Sequence, residues 1–170
     1  MRHFCSRPLF CLSLLALVLS GCSKYQLTLN EAVVYTPAPL FTDFKTADPR
    51  LKTCLDQAIK DHKATSPADV TRLVCSHAGL TSVVGLEAFT SITELNLANN
   101  QITDIAPIAQ LSKLKALSLS DNKLRQVPEI LLLEHLNYLD LTNNTQLACG
   151  DINQLRPRFN GELKLPTQCQ

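Results

Sequence analysis

Leu95, Leu117 and Leu139 stand 22 residues apart, and each carries the same neighbours. The segments are Ile92-Thr-Glu-Leu95-Asn-Leu97-Ala-Asn-Asn100-Gln-Ile102, Leu114-Lys-Ala-Leu117-Ser-Leu119-Ser-Asp-Asn122-Lys-Leu124 and Leu136-Asn-Tyr-Leu139-Asp-Leu141-Thr-Asn-Asn144. A fixed period of this length constrains the chain strongly, because a unit so short cannot bury its own apolar edge and must stack on its neighbours. A fourth, degenerate copy lies 22 residues upstream, with Val70, Leu73, Cys75 and Leu80 in the apolar places and Ala78 where the Asn belongs. Degeneracy at that point is expected where a stack meets its cap.

The second half of each repeat is as regular as the first. Leu80, Val83, Leu86 and Phe89 recur as Ile102, Ile105, Ile108 and Leu111, then as Leu124, Val127, Ile130 and Leu133. Steps of three suit tight 3₁₀-like turns better than an α-helix, and Pro107 and Pro128 oppose long helices there. Each L-x-L should therefore be a short strand of a parallel sheet with both leucines inward. Asn100, Asn122 and Asn144 should form a stacked column that satisfies backbone groups at the turn leaving each strand.

These segments resemble the bacterial leucine-rich repeat proteins of the 22-residue, internalin-like type. Asn100-Gln-Ile102-Thr-Asp-Ile105-Ala-Pro-Ile108-Ala-Gln-Leu111 is similar to that family's repeat. The resemblance covers about residues 70 to 147. It implies an α/β repeat solenoid: a short stack of about four repeats, a parallel sheet on the concave face, and a cap at each end. Internalins bind host receptors through longer arrays, so the resemblance specifies the fold far more closely than the partner.

The first residues carry a different signal. Arg2, His3 and Arg7 precede a mostly apolar run from Leu9 to Leu19, too short for a comfortable membrane span and suited to a secretory signal. Leu19-Ser-Gly-Cys22 resembles the lipobox of bacterial lipoproteins. That resemblance implies cleavage before Cys22, diacylglycerol on its sulfur and a fatty acyl chain, palmitate, on its amine. Ser23 in place of Asp at the sorting position implies the outer membrane of a Gram-negative cell, with the periplasmic or external orientation left open.

Cysteine usage agrees with export. Of seven cysteines, Cys5 and Cys11 fall in the signal and Cys22 takes lipid, leaving Cys54, Cys75, Cys149 and Cys169. An even set in an exported chain reads as disulfides. Of the three pairings, position favours Cys54–Cys75 before the intact repeats and Cys149–Cys169 behind them. A Cys₄ zinc site is the competing reading, but neither pair has C-x₂₋₄-C spacing and no His completes a ligand pattern. No metal or cofactor is expected.

Five segments follow: 1–21 signal peptide, 22–47 lipidated N-terminus and extended tether, 48–69 N-terminal cap, 70–147 repeats, and 148–170 C-terminal cap. Asp48 and Pro49 should open a cap helix, with Leu51, Cys54, Leu55, Ala58 and Ile59 on one apolar stripe. Glu162-Leu163-Lys164-Leu165 resembles a final L-x-L strand. The tether, with Pro37 and Pro39, reads as a flexible spacer. Its alternative is that Val33-Val34-Tyr35 or Pro39-Leu40-Phe41 docks on a partner or on the domain itself.

A binding site should lie on the outward strand residues, in columns 22 apart: Arg72, Glu94, Ala116, Tyr138; Val74, Asn96, Ser118, Asp140; Ser76, Ala98, Ser120, Thr142; and His77, Asn99, Asp121, Asn143. The candidates for contacting a protein partner are Arg72, His77, Glu94, Asn96, Asn99, Asp121, Tyr138 and Asp140. Tyr and Arg are the types enriched at interaction hot spots. Ser118 and Ser120 read as surface hydroxyls, and no nucleophile with a base and an orienting group is evident, so an enzyme is not expected. Without Arg2 and Arg7, 14 of the 16 basic residues face 15 acids, a net charge of −1. A near-neutral chain without a basic run is not a nucleic-acid binder. The expected function is an envelope-anchored protein-interaction module. An adhesin or virulence factor recognising a host molecule and a glycan- or peptidoglycan-binding structural protein are the alternatives; oligomeric state is left open.

Overall fold

The structure, a computed structural model, describes residues 27–29 and 32–170, with side chains from residue 36 onward. The expectations for the signal segment 1–21 and for Cys22 lie outside the described residues. The chain forms two units, Met1–Pro39 and Leu40–Gln170.

In the first unit, β1 (Leu27–Leu29) and β2 (Ala32–Tyr35) pair antiparallel, Thr28 opposite Val33 and Leu29 opposite Ala32. The sequence predicts an extended spacer here. Val33-Val34-Tyr35 is instead a β-branched and aromatic run, types that favour a strand, and it pairs with the neighbouring segment.

The second unit begins ahead of the expected cap. Phe41 and Phe44 pack edge-on against Phe89, with ring centroids 6.2 and 5.5 Å away. The Phe41 amide donates to the Ala64 carbonyl at 2.8 Å, and that of Ala47 to Val84 at 3.2 Å. Gly85 explains the close fit. Its φ is +112°, and a Cβ there would run into the Lys45 carbonyl. From Leu40 onward the segment expected as tether belongs to the second unit, while Pro39 belongs to the first.

The cap helix α1 runs Pro49–His62 and buries Leu51, Leu55 and Ile59 against the first coil. Asp48 is its N-cap, accepting from the Arg50 amide at 2.9 Å. The same carboxylate accepts from the amide and hydroxyl of Thr81 at 2.8 and 3.1 Å, so it ties the helix start to the first repeat. Burial, to 4 % exposure, opposes its ionisation. The amides of Thr81 and Arg50 and the Thr81 hydroxyl outweigh that and hold the Asp48 carboxyl below its ordinary value of 3.8. A carboxylate with a lowered folded-state pKa stabilises the fold above its unfolded pKa, and that contribution disappears as pH falls through the folded value. Asp48→Ala should therefore cost about 1–3 kcal/mol at neutral pH. In urea titrations repeated down to acid, the gap between variant and parent should close below pH ~4. A gap that persists at pH 2 would mean the loss is packing and not the ionised cap.

The repeats follow. Strands β3 (Arg72–Val74), β4 (Glu94–Asn96), β5 (Ala116–Ser118), β6 (Tyr138–Asp140) and β7 (Glu162–Lys164) form one parallel sheet in chain order. Leu73, Leu95, Leu117 and Leu139 lie side by side in register, each at most 2 % exposed. The returning halves are 3₁₀ turns at Leu86–Ala88, Ala106–Gln110 and Pro128–Leu132. Pro107 and Pro128 sit at their starts, where a missing N–H leaves nothing unpaired.

The asparagine column binds coil to coil. Asn122 Oδ1 accepts from the Ile102 amide at 3.0 Å, and its Nδ2 donates to the carbonyls of Leu97, Leu119 and Ser120 at 3.0–3.1 Å. Asn100 and Asn144 make the same set one coil earlier and one later. Each amide thus serves its own turn and the preceding coil, which is why a column rather than a lone Asn is required. In the degenerate first repeat Ala78 carries no side-chain amide, and Arg50 from α1 donates to the neighbouring Gly79 carbonyl at 2.9 Å.

Disulfides close both ends: Cys54–Cys75 joins α1 to the first coil, and Cys149–Cys169 ties the C-terminal cap. That cap contains α2 (Gly150–Leu155), which buries Ile152 and Leu155. Asp151 in its first turn accepts from the Val127 amide at 2.9 Å, a bond between cap and last repeat that no spacing rule announces.

Candidate functional site

Strand pairing builds two outward columns. One runs Arg72, Glu94, Ala116, Tyr138, Glu162; the other Val74, Asn96, Ser118, Asp140, Lys164. In the first four strands these are the residues 22 apart in sequence. The fifth strand escapes the period, because Leu163 follows Leu139 by 24 residues. Its L-x-L pattern was legible, but its place in the columns was not. Glu162 and Lys164 therefore extend the outward columns at positions that periodicity misses.

Arg72 Nε lies 3.3 Å from Glu94 Oε2, with both side chains more than half exposed. Such a pair contributes little to stability and leaves both groups open to a ligand. At the other end, Lys164 Nζ stands 5.2 Å over the Tyr138 ring, 3.4 Å from its hydroxyl and 3.2 Å from Glu162. The bond to Glu162, then that to Tyr138, raises the Lys164 pKa above its ordinary 10.5. The half-buried Tyr138 thus carries a cation over its face.

Other candidates have structural duties. Asn96 Oδ1 accepts from the Ala98 amide at 3.0 Å, and Asp140 Oδ1 from the amide and hydroxyl of Thr142 at 3.0 and 2.7 Å. These are Asx-type turns that end the strands. His77, Asn99, Asp121 and Asn143 lie past the strand ends, not on the sheet face as the sequence predicts. Their φ values are 56, 57, 54 and 62°, the left-handed region that tolerates Asn, Asp and His. The residue types in that column therefore reflect a backbone requirement. Asn143 also donates to Asp121 Oδ1 at 2.8 Å, rung to rung. In the neighbouring column Ala98 and Ser120 are buried, so Ser120 is no surface hydroxyl.

What remains open is Arg72, Glu94 and Tyr138, with Val74 51 % exposed and the small Ala116 and Ser118 between them. Beside Arg72 and Val74 the sheet face passes into a groove of about 620 Å³, walled by α1 with Arg50, Gln57, Ala58 and His62. Cys54 and Ala58, expected on the buried stripe of α1, also line this groove, so the stripe is only partly covered by the first coil. Among the described residues, no group of three or more His, Cys, Asp or Glu is placed to hold a metal ion.

Residues 90–147 match the leucine-rich repeat family model. A parallel strand per period, with an asparagine rung in each coil after the first, decides the architecture, and the match agrees with it. The fold is a leucine-rich repeat solenoid. No curated protein matches the chain. Three solved structures, all from Listeria monocytogenes, are similar to parts of it. The internalin InlF is 32 % identical over 62 % of this chain and 32 % of its own, with a TM-score of 0.48. The functional domain of InlJ, described as including a cysteine ladder, is 28 % identical over 48 % of this chain and 20 % of its own, at 0.41. Internalin C2 is 22 % identical over 59 % and 62 %, at 0.39. The chain spans less than two thirds of each of these relatives. Four of the five strands of the sheet lie in the repeats and the fifth in the C-terminal cap, and the surface they make must be read from its own residues.

Proposed function

We propose that this leucine-rich repeat protein is a protein-recognition module of the bacterial envelope, anchored by lipid on Cys22 and held in the outer membrane. The concave sheet and the α1 groove would together bind one protein partner. The observation that carries the reading is the continuity of that surface. Arg72 and Val74 line both the sheet hollow and the groove, and Tyr138 stands at the far side with Lys164 over its ring. Five strands at about 4.8 Å spacing make a face roughly 20 Å wide, enough to seat a helix or a loop. A rigid aromatic and an accessible Arg are the side chains that dominate binding energy at such faces. The anchor is supported by Leu19-Ser-Gly-Cys22 and by the two disulfides, which fit a chain exported to an oxidising compartment.

Crosslinking on living cells, with native purification and mass spectrometry, tests the reading; a Cys22→Ala form is the mislocalised control. Recovery of one envelope complex, lost in the control, is the expected result. A host-surface protein instead would make the molecule an adhesin, and capture by isolated cell wall would make it a glycan binder. On the purified complex, Tyr138→Ala with Glu94→Ala should weaken binding about 10- to 100-fold, the loss of one or two hot spots. Unchanged affinity with an intact fold would move the site off the concave face.

A further inference from the structure

The two ends of the solenoid are closed unequally. At the N-terminal end α1 packs along the first coil, and Leu73 of β3 is 1 % exposed. At the other end α2 covers the turn side of the last coil, but Leu163, the central residue of β7, is only half-buried, unlike the central leucines of β3–β6. The Glu162 amide donates to Asn137 and the Lys164 carbonyl accepts from Leu141, each at 2.9 Å, so both residues face β6. By the alternation of a strand, the N–H and C=O of Leu163 point the other way, and among the described residues β7 is the last strand of the sheet. A notch of about 540 Å³ lies there, lined by Thr142, Arg156, Leu163, Lys164, Leu165 and Gln170.

Charged residues on an edge strand usually discourage pairing. Here the order Glu162-Leu163-Lys164 does the reverse for one partner. Run antiparallel against a second copy about a two-fold axis through Leu163, each Glu162 faces the other copy's Lys164. The two Leu163 residues exchange both of their free backbone bonds. Slipping the register by two residues puts Glu162 against Glu162 or Lys164 against Lys164, so the charges select a single register. Pro166, without an N–H, and Gln170, whose Nε2 lies 3.4 Å from the Leu165 carbonyl, stop the ladder just beyond.

We propose that the β7 edge pairs with the β7 edge of a second copy, forming a two-fold dimer with one continuous sheet. The pairing is short, so the dimer is expected to be weak and concentration-dependent.

Sedimentation velocity of the full chain, both disulfides formed, from about 1 µM to about 500 µM tests this, a range suited to a small, weak interface. A monomer–dimer shift is expected. Lys164→Glu should weaken it at least 10-fold by placing like charges opposite each other. The exchange Glu162→Lys with Lys164→Glu should restore it, although it does not restore the cation over Tyr138. Circular dichroism of each variant reads the fold separately. A Leu163→Cys variant should also crosslink copy to copy, since directly opposed residues of a bonded antiparallel pair lie ~5.5 Å apart, within disulfide reach. A monomer at every concentration, or a dimer indifferent to Lys164→Glu, overturns the proposal. So does a Leu163→Cys crosslink formed only to a different protein. Partner binding by a protein that stays monomeric would leave the recognition surface standing while this edge pairing fell.

Discussion

Asn122→Ala is expected to destabilise the domain by about 3–5 kcal/mol, a large part of the 5–15 kcal/mol typical of a whole domain. The substitution strands the Ile102 amide in the core and removes the donor to three carbonyls in two coils. One buried donor left without a partner costs ~1–3 kcal/mol; the carbonyls and the void left by the amide add to that. Asn122 is the middle rung, with coils stacked on both sides, so neither cap can relax to admit water. Urea unfolding should show a much lower midpoint with little change in slope. Asn99, beside the preceding rung Asn100, provides the contrast. It is exposed and left-handed, so Asn99→Gly should stay within about 0.5 kcal/mol of the parent. Equal effects at the two positions would refute the ladder as the source of stability.

The second large effect is expected at the C-terminal staple. Cys149 and Cys169 close a loop of 20 residues, for which the chain-entropy model assigns roughly 3 kcal/mol. Cys149→Ala with Cys169→Ala should therefore lose about that much. A repeat stack is stabilised through neighbours, so the loss should be concentrated near the end. The Gln168 side-chain amide, which donates to the Asn144 carbonyl at 2.8 Å, and β7 depend on the staple directly. Amide exchange at Lys164 should quicken by about two decades, the equivalent of ~3 kcal/mol, while Leu117 in the middle strand changes far less. Uniform acceleration along the sheet would show that the stack unfolds as one unit and that the staple guards no particular end.

Most of the solenoid was legible because its physics is periodic. A 22-residue recurrence of inward leucines specifies strand, turn and register together, and the Asn column follows from the need to satisfy buried amides. The cap helix was legible from Asp48-Pro49 and the stripe behind it. What escaped lies where the period ends. Phe41 and Phe44 reach Phe89 across more than forty residues, and nothing local marks the contact. Asp151 meets Val127 for the same reason. Lys164 joins Tyr138 only because the last turn is two residues longer than the others. At the site the period misled in another way. It grouped His77, Asn99 and Asp121 with the sheet columns, when their residue types, all tolerant of positive φ, already distinguished them from Arg72 and Glu94.

That left-handed column has a consequence for anyone remodelling this scaffold. A library that diversified every outward polar residue would spend much of its variation breaking turns, because β-branched or bulky side chains at 77, 99, 121 or 143 would be strained before any ligand was met. Asn96 and Asp140 terminate strands and belong with them. The positions free to vary are Arg72, Val74, Glu94, Ala116, Ser118 and Tyr138, with the outer flank of α1. Screening confined to that palette would sample new specificities on a backbone that still closes its coils.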